Sequence, residues 1–120
     1  MSIPPETLQK LLQEIEQKAA FSQQQISIVK SQIAAKNRES RILQLTTSEV
    51  DALPDSTNVY EGVGKMFVLS PRKDVKKRLG AENEELKSDI SALEKKLHYL
   101  ETTYKNSQDG IQRLLRPGGS

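Results

Sequence analysis

Apolar residues recur in alternating steps of four and three over two long stretches of this chain, and between the stretches the rhythm gives way to a short run of strand formers. In the first stretch Leu8, Leu12, Ile15, Ala19, Ser22, Ile26, Val29, Ile33, Lys36, Ser40 and Leu43 keep step, with only Ser22, Lys36 and Ser40 polar. In the second, Val75, Leu79, Glu82, Leu86, Ile90, Leu93, Leu97, Leu100, Tyr104, Ser107, Ile111 and Leu114 do the same, with one doubled four-residue step around Leu86. Such spacing draws one apolar stripe along one face of a helix, the seam of a coiled coil. The doubled step predicts a local loosening of the supercoil.

The two stripes match if the chain folds back on itself. Antiparallel partners must have residue numbers with a nearly constant sum, and Leu8 with Leu114, Ala19 with Tyr104, Val29 with Leu93 and Leu43 with Leu79 all sum to 122 or 123. Small Ala19 then faces bulky Tyr104, and polar Ser40 faces Glu82. The expected fold is mainly α: a long antiparallel helical coiled-coil hairpin with a β-hairpin inserted between the two helices. The reading places arm one at 6–53, the hairpin region at 54–69, arm two at 70–115 and a flexible tail at 116–120. Each arm would run to about 40 residues and about 60 Å.

Local signals mark the ends. Pro4-Pro5-Glu6 suits a first helical turn, and Ser70-Pro71 places an N-cap type directly before a proline suited to the first position of arm two. Thr46-Thr47-Ser48-Glu49 has capping-box spacing and predicts a short second helical piece over Val50 to Leu53, before a break at Pro54-Asp55. Gly80 weakens arm two by about 1 kcal/mol relative to alanine without breaking it.

The insert points outward. Val59-Tyr60 and Met66-Phe67-Val68-Leu69 are strand formers joined through Gly62-Val63-Gly64-Lys65. Two strands alone are marginal in water, and consecutive apolar residues in the second strand demand cover on both faces. Other subunits must complete the sheet, and closing several hairpins into a shared barrel would remove the open edges as well.

Composition narrows the remaining classes. Aromatics are 4% and charged residues 28%, which argues against a thick globular core. Net charge is only +2 and the basic residues are interspersed with acids, so nucleic acid is not expected as a partner. No apolar run approaches the roughly 20 residues of a membrane-spanning helix, and no membrane partner is expected. The absence of cysteine and of a hydrophobic targeting segment fits a cytoplasmic, or also nuclear, setting.

Catalytic readings find little to work with, and neither an enzyme, a cofactor nor a metal is expected. His98, the single histidine, sits beside Leu97 with no cysteine to join it and reads as a surface residue. Gly62-Val63-Gly64 is too short for a dinucleotide fingerprint and precedes a strand. Glu84-Glu85 reads as a solvated helix face. The run Arg72-Lys73 and Lys76-Lys77-Arg78 could meet an acidic partner but reads first as a solvated face, and Lys36 either sets register or snorkels outward.

The block from Asp55 through Asn58-Val59-Tyr60-Glu61-Gly62-Val63-Gly64-Lys65-Met66-Phe67 to Leu69, flanked by two heptad arms, resembles the prefoldin family and, with one hairpin rather than two, its β-type subunits. The likeness covers roughly residues 5 to 115. It implies a hexamer of two α-type and four β-type subunits, whose hairpins build a double β-barrel and whose coiled coils hang as tentacles. It also implies capture of unfolded actin and tubulin and their delivery, without ATP, to the cytosolic chaperonin. By the same likeness Val59, Tyr60, Val63, Met66, Phe67, Val68 and Leu69 would serve subunit assembly. At the free ends Leu8, Leu11, Leu12, Ile111, Leu114 and Leu115 are candidate client-binding residues, against the plainer reading that they pack the coiled-coil end. The competing classes are a structural coiled-coil oligomerisation or tethering protein, which leaves the apolar hairpin without purpose, and a basic nucleic-acid binder, which needs a clustered positive face.

Overall fold

The computed structural model describes residues 4–54, 56–63 and 66–116. Four elements follow in order: helix α1 over Pro5–Asp51, strand β1 over Asn58–Val63, strand β2 over Met66–Pro71 and helix α2 over Arg72–Leu115. Two long helices with an antiparallel β-hairpin between them are the fold class that the heptads and the insert predict. The expected turn residues Gly64 and Lys65, the break residue Asp55 and the tail from Pro117 onward lie outside the described residues.

The chain divides into two compact units, Met1–Ile33 with Leu93–Ser120, and Ala34–Ala92. In the first, the seam is built from Ala19, Ser22, Val29, Leu100 and Ser107, all buried, with Leu8, Leu12, Ile15, Ile26, Ile33, Leu93, Leu97, Tyr104, Ile111 and Leu114 half-buried along it. Val29 is fully enclosed. Small Ala19, Ser22 and Ser107 leave little side chain in the seam, and Ser107 satisfies its hydroxyl by donating to the Thr103 carbonyl at 3.0 Å. Helix α1 starts with Pro5 at its first position, where no amide is missed, and its first internal bond runs from the Leu8 amide to the Pro4 carbonyl at 2.9 Å.

In the second unit the seam is built from Leu43, Val50 and Val75, all buried. Its course differs from the expected one in three places. Glu82 is exposed and Asn83 takes the inward position, so the doubled four-residue step falls at Val75-Leu79-Asn83 rather than around Leu86. A neutral amide loses less than an ionised carboxylate on leaving water, which favours Asn83 at the inward position. The Asn83 Oδ1 is buried with no hydrogen-bond partner among the described residues. Second, α1 runs unbroken to Asp51. The Thr46 and Thr47 hydroxyls donate back to the carbonyls of Ile42 (3.0 Å) and Leu43 (2.8 Å), so neither caps a new helical piece. Third, Ser70 and Pro71 finish β2, paired with Val59 and Asn58, and the second helix begins only at Arg72. Lys36 reaches both Glu39 (3.8 Å) and Asp89 of α2 (3.7 Å), placing its charge at the seam's border in an inter-helix pair.

Arg72 organises the joint where α1 ends and α2 begins. The last turn of α1 contains no basic residue to meet its free carbonyls. The Arg72 guanidinium supplies that charge from outside the helix, donating to the Val50 carbonyl at 2.8 Å and to the Asp51 carbonyl at 3.0 Å. Its own amide donates to the Thr57 carbonyl at 3.1 Å, fixing the entry to α2. Lys76 adds an ion pair with the Asp51 carboxylate at 3.1 Å. Much of the basic run read as a solvated face is therefore structural.

Two outcomes follow. Gly80 is exposed and helical, and a Cβ built there meets nothing within 4 Å. Gly80→Ala should therefore stabilise the chain by about 0.5–1 kcal/mol, read as a rise of roughly 2–5 °C in melting temperature; an unchanged or lower value would show that the glycine backbone is needed. Arg72→Gln should cost about 1–3 kcal/mol in urea unfolding, because it removes charged donors from two helix-end carbonyls. Lys76→Ala, which loses one exposed pair, should cost under about 1 kcal/mol.

Candidate functional site

The hairpin places its side chains on two faces, one of them anchored to α2 at Glu61. Strand register pairs Tyr60 with Leu69 and Gly62 with Phe67 on one face, and Val59 with Ser70, Glu61 with Val68 and Val63 with Met66 on the other. The second face is tied to α2. Glu61 accepts from the Arg78 guanidinium and from the Ser70 hydroxyl, the latter at 3.4 Å. The bond to Glu61 raises the Arg78 pKa above its ordinary value, partly offset by desolvation, with weaker attraction from Glu82 and Asp74. Beneath β1 an open groove of about 270 Å³ runs between strand and helices, lined by Val59, Glu61, Val50, Val75, Arg78 and Leu79 among others.

The first face is largely exposed, although Tyr60 and Gly62 also border the groove. Tyr60 is 71% exposed, Phe67 76% and Leu69 53%. Phe67 lies across from Gly62, its Cε1 3.9 Å from where a Cβ would stand. Met66 and Val68 are exposed too, so every residue of β2 from Met66 to Leu69 is open to water, and Val59 alone of the described assembly candidates is half-buried. The Val63 side chain lies outside the described residues. Exposed apolar residues on a two-stranded sheet with both outer edges unpaired among the described residues are what an unfinished interface looks like.

The client candidates fall in the first unit, near the helix ends Pro5 and Leu115. Leu8, Leu12, Ile111 and Leu114 are half-buried in the seam, whereas Leu11 and Leu115 open to solvent. The first four pack the end of the helix pair, and Leu11 and Leu115 offer it an apolar rim. Nothing in the heptad register marked Arg72 or Glu61 as functional in the joint; their roles depend on partners 21 or 22 residues and 17 residues away along the chain.

Among the described residues no group of three or more His, Cys, Asp or Glu side chains is placed to hold a metal ion, and no helix is long and apolar enough to cross a membrane.

The likeness to known proteins is consistent along the chain. A sequence profile of the prefoldin subunit family matches residues 13–117. The chain is 39% identical over 107 residues to the probable prefoldin subunit 1 of Schizosaccharomyces pombe, covering 89% of this chain and 96% of that one. It is 35% identical over 108 residues to prefoldin subunit 1 of Mus musculus, covering 90% and 88% respectively. The crystal structure of the prefoldin beta subunit from Thermococcus strain KS-1 superimposes with a TM-score of 0.80 at 29% identity, over 97% of each chain. With two long helices, a single hairpin between them and this match over most of its length, the chain belongs to the prefoldin family of chaperone subunits.

Proposed function

We propose that this chain is a β-type subunit of a hetero-hexameric, ATP-independent co-chaperone. It joins α-type and β-type prefoldin subunits through its hairpin and holds non-native polypeptides at the free ends of its helices. The observation that carries this reading is the outward hairpin face of Tyr60, Phe67 and Leu69, which stays wet until another subunit covers it. Burying such side chains is worth about 1.5–3 kcal/mol each, so assembly is favoured by the same residues that leave the lone chain unfinished. Val59, Val63, Met66 and Val68 serve assembly as well, Met66 and Val68 as exposed residues of the other face.

At the free ends, Leu8, Leu11, Leu12, Ile111, Leu114 and Leu115 provide non-directional apolar contact, suited to a client with no fixed shape. Weak contacts from several subunits add by avidity. On this reading the clients are of the actin and tubulin class, release occurs when the cytosolic chaperonin competes for the same client surface, and the setting is cytoplasmic. No step requires nucleotide, cofactor or metal.

Mixed with α-type and β-type partner subunits, the chain should form a hexamer by light scattering, and Tyr60→Ser with Phe67→Ser should abolish it while leaving helical circular dichroism unchanged. A solitary dimer that ignores the partners would instead identify a tether. Polar replacement of the six end residues should leave the hexamer intact but reduce suppression of aggregation of unfolded actin; undiminished suppression would remove the end assignment.

A further inference from the structure

The first unit leaves two aromatic residues largely exposed. The chain has five phenylalanines and tyrosines, two of them on the hairpin, and only Tyr104 lies in the seam. Phe21 is 61% exposed and Tyr99 70%, and Ile28, one heptad on from Phe21, is exposed as well. Phe21 and Ile28 each precede a buried seam residue by one position, Ser22 and Val29, and Tyr99 likewise precedes Leu100. In an antiparallel pair, equivalent heptad positions of the two helices fall on the same side of the seam, so the three side chains share one flank.

A groove identifies that flank independently. It has a volume of about 300 Å³ and is lined by Ile15, Lys18, Thr103, Asn106, Ser107 and Gly110. Gly110 contributes no side chain to fill it, and Ile15 Cδ1 stands 3.8 Å from where a Cβ would be. Phe21 lies three residues from Lys18, and Tyr99 four from Thr103, the spacings of stacked neighbours on a helix. The aromatic pair therefore continues the groove.

The charge on this flank is mainly positive, with Glu14 the acid that shares the heptad position of Phe21. Lys18 lines the groove, and Lys95 and Lys96 lie four and three residues before Tyr99. All three are exposed, and none makes an ion pair among the described residues. Of the acids in the same stretch, Glu16, Glu94 and Glu101 each follow a seam residue by one position and fall on the opposite flank, whereas Asp109, beside Gly110, shares the heptad position of Lys95. Glu14, one heptad before Phe21, bounds the field toward the amino terminus.

We propose that this flank is a docking surface for an acidic polypeptide segment bearing aromatic or branched apolar side chains. The groove and the Phe21, Ile28 and Tyr99 side chains take the apolar groups, and Lys18, Lys95 and Lys96 take the carboxylates. Apolar contact sets the strength, and charge selects the segment and speeds its arrival. The proposal deepens the holding function above, and rests on it, by naming the chemistry of the polypeptide held.

The test titrates the full chain into two fluorescent synthetic peptides, one alternating glutamate with phenylalanine and the other lysine with phenylalanine, and reads anisotropy at low and high salt. The acidic peptide should bind at least about tenfold more tightly at low salt, and the margin should shrink at high salt. Phe21→Ser with Tyr99→Ser should weaken it about tenfold, and Lys18→Glu with Lys95→Glu and Lys96→Glu should reverse the peptide preference. All these positions are exposed, so circular dichroism should be unchanged. Equal affinity for the two peptides, or undiminished binding by either variant, overturns the proposal. So does a concentration-dependent dimer that Phe21→Ser dissolves, because a second copy would then be the occupant. If the flank variants bind the acidic peptide normally while end-residue variants still lose aggregation suppression, this inference falls and the holding function stands. If peptide binding depends on the flank but no variant alters suppression, the surface stands and the holding function falls.

Discussion

A two-stranded sheet cannot cover its own side chains, and the chain's relation to its partners follows from that limit. One face of the hairpin is held by Glu61, which takes the Arg78 guanidinium and the Ser70 hydroxyl, while the other presents Tyr60, Phe67 and Leu69 to water. Anchoring one face is what makes the other usable. A hairpin free to turn would lose entropy on docking, whereas one fixed to α2 meets a partner already oriented. Membership of the prefoldin family implies other prefoldin subunits as partners, and this surface is the site we propose for them.

The joint beneath the hairpin solves an electrostatic problem left by the first helix. Helix α1 ends without a basic residue of its own, and Arg72 meets its terminal carbonyls from the first position of α2. The same residue closes the connection through its amide to Thr57. One side chain thus neutralises a helix terminus and sets the departure of the next helix, which places the hairpin. The neighbouring Lys76 and Arg78 extend the arrangement to Asp51 and Glu61, so three of the five cations in the basic run are engaged within the chain.

Polar groups in the seam show where apolar periodicity stops being a sufficient guide. Ser22 and Ser107 are buried because they are small, and Ser107 satisfies itself within its own helix. Lys36 keeps its stem at the seam and its ammonium at the border, between Glu39 and Asp89. Asn83 displaces Glu82 from the inward position, since a neutral amide loses less than a carboxylate on leaving water. A four-three count cannot distinguish these two neighbours, because both satisfy it within one step.

The order helix, hairpin, helix, the matched seams and the apolar insert were determined by local sequence, because heptad spacing, strand propensity and glycine placement act over a few residues and need no knowledge of the rest of the chain. The family likeness was legible for the same reason, in the block from Asn58 to Phe67. The end of α1 at Asp51, the start of α2 at Arg72 rather than at Ser70, and the passage of the seam through Asn83 were decided only by tertiary structure. Thr46 and Thr47 could cap a helix or bond back along one, and the continuing seam through Val50, with Arg72 at the helix end, selected the second. Ser70 and Pro71 could begin a helix or end a strand, and pairing with Val59 and Asn58 kept them in the sheet. In each case the residue types permit two local structures of similar energy, and contacts with residues distant in sequence supply the difference.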